Sequence, residues 1–147
     1  MRKARSAGRS WPSLRGGRDV LRVLVLEDDA DLRTILCELL SLSGAEACVG
    51  ACSLQEVQRE RVEALGCGLA LLDINLGAGV PSGLDAYRWL KENGFSGRVV
   101  FLTGHARSHP LVREALELTN AQVVSKPIES KVLLALVRGG THGTGTL

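Results

Sequence analysis

The sequence predicts a single α/β domain built on a doubly wound, five-stranded parallel sheet with about five helices. Three observations carry that prediction. Short β-branched and Leu-rich runs alternate five times with segments of helical periodicity, the pattern of βα units feeding a parallel sheet. One central run, Leu69-Ala70-Leu71-Leu72, is continuously apolar, as a strand buried on both faces must be. A chain of 147 residues is one domain by length and buries roughly 70% of the surface its unfolded form exposes.

The first strand is Arg22–Leu26. The first helix runs over about Ala30–Leu42, with Leu32, Ile35, Leu36, Leu39 and Leu40 at three- and four-residue spacings expected to face the core; Gly44 closes it. A second strand covers about Glu46–Ala51. Ser53 then reads as an N-cap, and Glu56 three residues on completes a capping box that opens a helix to about Leu65, ended by Gly66. The third strand delivers Asp73 at its carboxyl end. A Gly/Pro/Ser-rich loop, Gly77 to Pro81, leads to Ser82 as the cap of a third helix reaching about Asn93, with Leu84, Tyr87 and Leu90 on one face. The fourth strand is Arg98–Leu102 and its helix about Pro110–Leu118; the fifth strand is Gln122–Val124 and its helix about Glu129–Arg138.

Charge is unevenly placed. Net charge is +2, yet residues 1–22 hold seven Arg/Lys and one Asp, so the remainder carries about −4. The Arg-, Ser- and Gly-rich segment 1–20 lacks hydrophobic periodicity and is expected to be a disordered leader, with the domain over 21–138 and a flexible tail over 139–147. The leader has no apolar core of a secretory signal. No apolar run approaches the roughly 20 residues of a membrane span, so a cytoplasmic protein with no membrane association is expected. The acidic body and the lack of a separate helix-turn-helix segment argue against direct nucleic-acid binding. Cys37, Cys48, Cys52 and Cys67 form no C-x-x-C pair and have no His at zinc spacing. They are expected to be reduced thiols. His105 and His109 read as solvated loop side chains rather than metal ligands, and Tyr87 and Trp89 as packing and rim residues.

In an open α/β sheet, ligands bind beyond the carboxyl ends of the strands. Here those ends are polar: Glu27-Asp28-Asp29 after the first strand, Asp73 on the third, Thr103 after the fourth and Ser125-Lys126-Pro127 after the fifth. Carboxylates about 4 Å apart repel by roughly 4 kcal/mol per pair at an effective dielectric near 20, so a cluster of them wants a cation. Hard oxygen donors select Mg²⁺ or Mn²⁺. Lys126 adds a positive charge and Thr103 a hydroxyl donor, both suited to phosphate oxygens. A cation, an ammonium and a hydroxyl around one carboxylate describe an aspartyl-phosphate site.

The stretches VLVLEDDADLR, LALLDINL, VVFLTGHA and VVSKPI, in that order, resemble the receiver domains of response regulators over about residues 21–138. The resemblance implies a flavodoxin-like sheet of order 2-1-3-4-5. It implies that Asp73 is the phosphoacceptor and that Glu27, Asp28, Asp73 and the backbone carbonyl of Asn75 hold the metal. Thr103 and Lys126 would sense and hold the phosphoryl group, with a cis bond between Lys126 and Pro127. His105 and Asn75 would modulate access of the hydrolytic water. A sensor histidine kinase or histidine phosphotransfer protein would supply the phosphoryl group, and the domain would act as a phosphoacceptor with slow self-dephosphorylation, monomeric or weakly dimeric.

Two departures stand out. Asp73 to Gly83 spans ten residues where the family commonly has eight, and the Met-Pro after the phosphoacceptor is absent. At the switch position, Val123 stands where the family often has Tyr or Phe, so no ring flip can couple the site to the output face. With no second periodic block, the chain is expected to be a receiver standing alone; the alternative is a degenerate receiver that binds partners without phosphorylation. A dinucleotide-binding oxidoreductase is disfavoured because Glu27-Asp28-Asp29 replaces the glycine-rich first turn. An aspartate-nucleophile phosphohydrolase is disfavoured because Asn75 occupies the place of its acid/base carboxylate.

Overall fold

A computed structural model of the chain describes residues 20–118 and 121–139. Five parallel strands form one sheet: β1 (Arg22–Leu26), β2 (Ala47–Ala51), β3 (Leu69–Asp73), β4 (Arg98–Thr103) and β5 (Ala121–Ser125), in the order β2-β1-β3-β4-β5. The expected order is thus observed. Register is continuous across the sheet, with Leu26 opposite Ala51 and Leu72, Asp73 opposite Leu102, and Thr103 opposite Ser125. The leader expected over 1–20 lies outside the described residues except for residue 20, and the tail expected over 139–147 except for residue 139.

Alternation along the strands divides the core in two. One sheet face presents Leu24, Leu26, Ala70, Leu72, Val99 and Phe101 to a cluster that includes Val57, Ala64, Leu84, Leu90 and Val112. The other presents Val23, Val25, Leu69, Leu71, Val100 and Leu102, packed with Leu36, Leu40, Leu133 and Leu136. Every residue of β3 is buried, which is why its sequence is apolar without alternation until Asp73.

Among the described residues there are six helices: α1 (Ala30–Leu42), α2 (Leu54–Arg59), α3 (Arg61–Leu65), α4 (Gly83–Glu92), α5 (Pro110–Leu116) and α6 (Ser130–Val137). The helix expected from Ser53 to about Leu65 is broken in two at Glu60, whose ψ of 38° leaves the helical region. Val57 and Ala64 are buried on either side of the break, while Arg61 donates to Asn93 and lies over the Trp89 ring. On α1, Leu36 and Leu40 are buried, but Ile35 is 50% exposed, contrary to expectation. One residue turns the helix by about 100°, and that step carries Ile35 out of the Leu32-Leu36-Leu40 stripe. No described helix is long and apolar enough to cross a membrane.

The caps set where the helices meet the rim. Asp29 accepts from Leu32 N at the start of α1. At α2 only half of the expected box forms: Ser53 accepts from Glu56 N, but the Glu56 carboxylate takes the Cys52 N–H at 2.7 Å instead of that of Ser53. That bond, made where β2 has ended, holds the Glu56 carboxyl below its ordinary range. A full capping box opens α4, Ser82 accepting from Asp85 N while Asp85 accepts from Ser82 N at 2.8 Å. Ser82→Ala is therefore expected to destabilise the fold by about 1 kcal/mol, read as a lowered midpoint in urea with an unchanged slope.

Candidate functional site

The order β2-β1-β3 places the topological switch point at the carboxyl ends of β1 and β3, where connections depart to opposite faces of the sheet. Four of the residues singled out above converge there. Carboxylate oxygens of Glu27, Asp28 and Asp73 lie within 4.8 Å of one another. Lys126 Nζ, arriving from the end of β5, stands 3.1 Å from Glu27 Oε1 and 3.4 Å from Asp73 Oδ2. Glu27 and Asp73 are buried and Asp28 is exposed. Three carboxylates facing one ammonium leave an excess of negative charge bounded by hard oxygen donors, a set that fits a small divalent cation. Such an ion would offset the charge that one ammonium cannot.

Each carboxylate is held by main-chain geometry. Glu27 N donates to Ala51 O at 3.0 Å, extending the β1–β2 pairing by one residue. Its second oxygen accepts from Asp29 N at 3.1 Å. Asp73 is the last residue of β3, and Ile74 N donates to Leu102 O at 2.9 Å just beyond it. Burial and the adjacent Glu27 carboxylate push the Asp73 carboxyl up to about 6, with Lys126 acting in the opposite direction. For Lys126, burial opposes the charge, but its hydrogen bond to Glu27 and the field of Asp73 outweigh burial and raise its pKa. At pH 7 both groups are therefore charged.

Thr103 is buried at the end of β4, its carbonyl accepting from Lys126 N at 2.8 Å and its hydroxyl from His105 N at 2.9 Å. The bond from Lys126 to Pro127 is cis. Asn75 and His105 meet beyond the ends of β3 and β4: Asn75 Oδ1 accepts from Gly77 N at 3.0 Å, which turns the amide NH₂ toward His105 Nε2, also at 3.0 Å. Gly77, at φ +123°, supplies the left-handed turn this closure needs. Residues 77–81 are exposed, while Gly83 N is tied to Ile74 O at 2.9 Å. The longer loop thus projects outward between fixed ends.

Val123 lies within β5 rather than at the rim, opposite Phe101, against the same core face as the tilted Tyr87–Phe101 pair. His109 is not a freely solvated side chain. It caps α5 by accepting from Leu111 N at 3.2 Å, and its ring stacks on His105.

Three features escaped the sequence reading. Arg33 donates to Glu27 O at 2.7 Å, crossing Gly50, where an added Cβ would sit 3.3 Å from its side chain. Gly83 lets the start of α4 lie directly against the Asp73 peptide. The expectation of four reduced thiols is corrected: Cys37 and Cys48 are joined as a disulfide, because α1 and β2 bring their Cα atoms to 5.7 Å. Cys52 and Cys67 are free.

Comparison with known proteins agrees with this geometry. The chain is 29% identical over 119 residues to the response regulator protein TodT of Pseudomonas putida, covering 79% of this chain and 49% of that one, so it spans about half the length of the curated relatives it matches. It superposes with a TM-score of 0.66 on a CheY-like response regulator receiver domain from Methylobacillus flagellatus, at 20% identity and covering 82% of this chain and 98% of that one. A receiver domain protein from Clostridium thermocellum gives 0.67 at 22% identity, covering 81% and 92%. These two likenesses establish the fold. Residues 23–138 match the response regulator receiver domain, and the chain accordingly belongs to that family of two-component signalling proteins.

Proposed function

We propose that the chain accepts a phosphoryl group on Asp73 and signals by the conformational change that follows. The observation that carries this reading is the convergence of Glu27, Asp28 and Asp73 within 4.8 Å, with the Lys126 ammonium shared between Glu27 and Asp73. Glu27, Asp28, Asp73 and the backbone carbonyl of Asn75 would hold Mg²⁺ or Mn²⁺, which supplies positive charge to the phosphoryl oxygens.

The remaining roles follow from the chain's own side chains. A carboxylate raised only to about 6 is ionised at pH 7 and serves as nucleophile toward phosphorus. The donor is a phosphohistidine of a sensor kinase or phosphotransfer protein, and its imidazole leaves as the Asp73 oxygen bonds to phosphorus. Lys126 then neutralises a phosphoryl oxygen and Thr103 turns its hydroxyl inward, exchanging its present bond from His105 N. The added charge of about −1.5 to −2 shifts an existing equilibrium of the β4–α5 region. Val123 has no ring to follow Thr103, so coupling to the output face relies on backbone movement. The linked Asn75 and His105 side chains modulate water access, and self-dephosphorylation is slow. The domain works in the cytoplasm as a monomer or weak dimer, without touching nucleic acid directly.

Intact-protein mass after incubation with a small acyl phosphate and Mg²⁺ tests the reading. The expected result is a gain of one phosphoryl group that requires the metal and disappears in Asp73→Asn. A native chain that gains nothing would instead be a receiver that binds partners without phosphorylation.

A further inference from the structure

On the outer side of the sheet, away from the acid rim, the Cys37–Cys48 bond ties the middle of α1 to the edge strand β2. Both cysteines are half-buried. The fold does not depend on the bond for its core: α1 packs on the sheet through Leu36 and Leu40, which are buried. A groove of about 340 Å³ runs beside it, lined by Arg33, Thr34, Cys37, Glu38, Ser41 and Gly50. Cys37 is therefore the half of the pair open to an incoming sulfur.

The other two cysteines are placed differently. Cys67 is buried, its thiol donates to Glu63 O, and burial pushes it up to about 12, so it stays protonated and inert. Cys52 lies past the end of β2, where its N–H is bound by Glu56. Geometry thus selects one pair out of four cysteines.

We propose that Cys37 and Cys48 form a reversible redox modification site, a dithiol in a reducing compartment that becomes a disulfide by exchange with a low-molecular-weight disulfide entering the groove. The Cys37 thiolate attacks one sulfur of that disulfide, forming a mixed disulfide and releasing one thiolate. The Cys48 thiolate then attacks the Cys37 sulfur and releases the second. Two protein thiols are oxidised by two electrons, the small disulfide is reduced to two thiols, and the two protons pass to the released thiolates. In a reducing compartment disulfides are transient and regulatory rather than structural, and a half-buried sulfur beside an open groove suits that use.

The bond is also connected to the acid rim. The helix it fixes begins at Asp29, next to Asp28, and the strand it fixes ends at Ala51, whose carbonyl holds Glu27 N. Arg33, one turn before Cys37, binds Glu27 O from the same groove. Oxidation therefore stiffens α1 and β2, which flank the acidic pair at the end of β1. The modification site stands on its own geometry whether or not Asp73 is phosphorylated.

The test equilibrates the full chain in glutathione buffers graded from reducing to oxidising, quenches with an alkylating maleimide and reads intact mass and linked peptides. The expected result is a passage from four alkylated cysteines to two, with Cys37 and Cys48 in the linked peptide and complete reversal at cytosol-like ratios. The oxidised form should melt roughly 10 °C higher than the reduced one, from closure of a short loop, a gap absent in Cys37→Ser. Four alkylated thiols throughout the series, or a linked peptide containing Cys52 or Cys67, would overturn the proposal. So would a bond that survives at cytosol-like ratios, which would make it a fixed structural staple. A chain carrying Cys52→Ser and Cys67→Ser must behave as the native one; loss of the transition there would also overturn it.

Discussion

Asp73→Asn is expected to stabilise the metal-free chain at pH 7 by about 2–3 kcal/mol while removing the proposed phosphorylation. The residue at the centre of the site is expensive to fold around. Asp73 is 4% exposed and faces a second buried carboxylate, so its carboxyl titrates at about 6 rather than the ordinary 3.8. Each unit of that difference corresponds to roughly 1.4 kcal/mol. Because the folded state holds the proton more tightly than the unfolded one, folding takes up protons between about pH 4 and 6, and stability falls as pH rises through that window. Asparagine has no charge to lose, so the variant should keep stability that the native chain gives up.

Thermal denaturation in chelator at pH 4 and pH 7 checks this. The two proteins should nearly coincide at pH 4 and separate at pH 7, with the variant higher. Mg²⁺ should narrow the gap, since an ion that binds only the native carboxylate cluster stabilises it by mass action. A variant less stable than the native chain at pH 7 would mean that the Lys126 pairing outweighs the burial of two like charges.

Much of this arrangement was legible in the residues. Strand ends are readable because the apolar run of β3 terminates abruptly in Asp73, and because Glu27, Thr103 and Lys126 each follow a comparable run. The parallel sheet then brings them to one edge without further information. Features that depend on the relative tilt or rotation of elements were not readable. Nothing in Gln58-Arg59-Glu60-Arg61 breaks a helix by propensity; the turn at Glu60 goes with tertiary contacts just after it, where Arg61 donates to Asn93 and lies over the Trp89 ring. Ile35 fits the helical spacing as well as Leu36 does, and only the rotation of α1 against the sheet decides between them. The pairing of Cys37 with Cys48 required knowing that α1 lies across β2 at that level. The bond from Arg33 to Glu27 O likewise follows from how closely α1 crosses Gly50.

Gly83 shows how closely the site is tied to its packing, and Gly83→Ala is expected to cost about 3 kcal/mol or more. A Cβ there would penetrate the Asp73 carbonyl oxygen and lie 2.9 Å from the Asp73 carbonyl carbon and 3.0 Å from Ile74 Cα. All three atoms are backbone of the segment that carries the candidate phosphoacceptor, so no side-chain rotation relieves the clash. Helix α4 must retreat or the Asp73 peptide must move. Retreat sacrifices the bond from Gly83 N to Ile74 O and disturbs the Ser82–Asp85 box one residue earlier. Movement of the peptide misplaces the carboxylate relative to Lys126 and Asp28. Gly79→Ala provides the contrast: φ there is +76°, but nothing lies within 4 Å of the added carbon, so only backbone strain of about 1 kcal/mol is expected. Chemical denaturation of the two variants, paired with phosphoryl uptake from an acyl phosphate, separates the effects. Gly83→Ala should lose both stability and uptake, whereas Gly79→Ala should lose a little stability and retain uptake. Equal losses in the two would show that the strain of the loop, rather than the close approach of α4 to Asp73, sets the geometry of the rim.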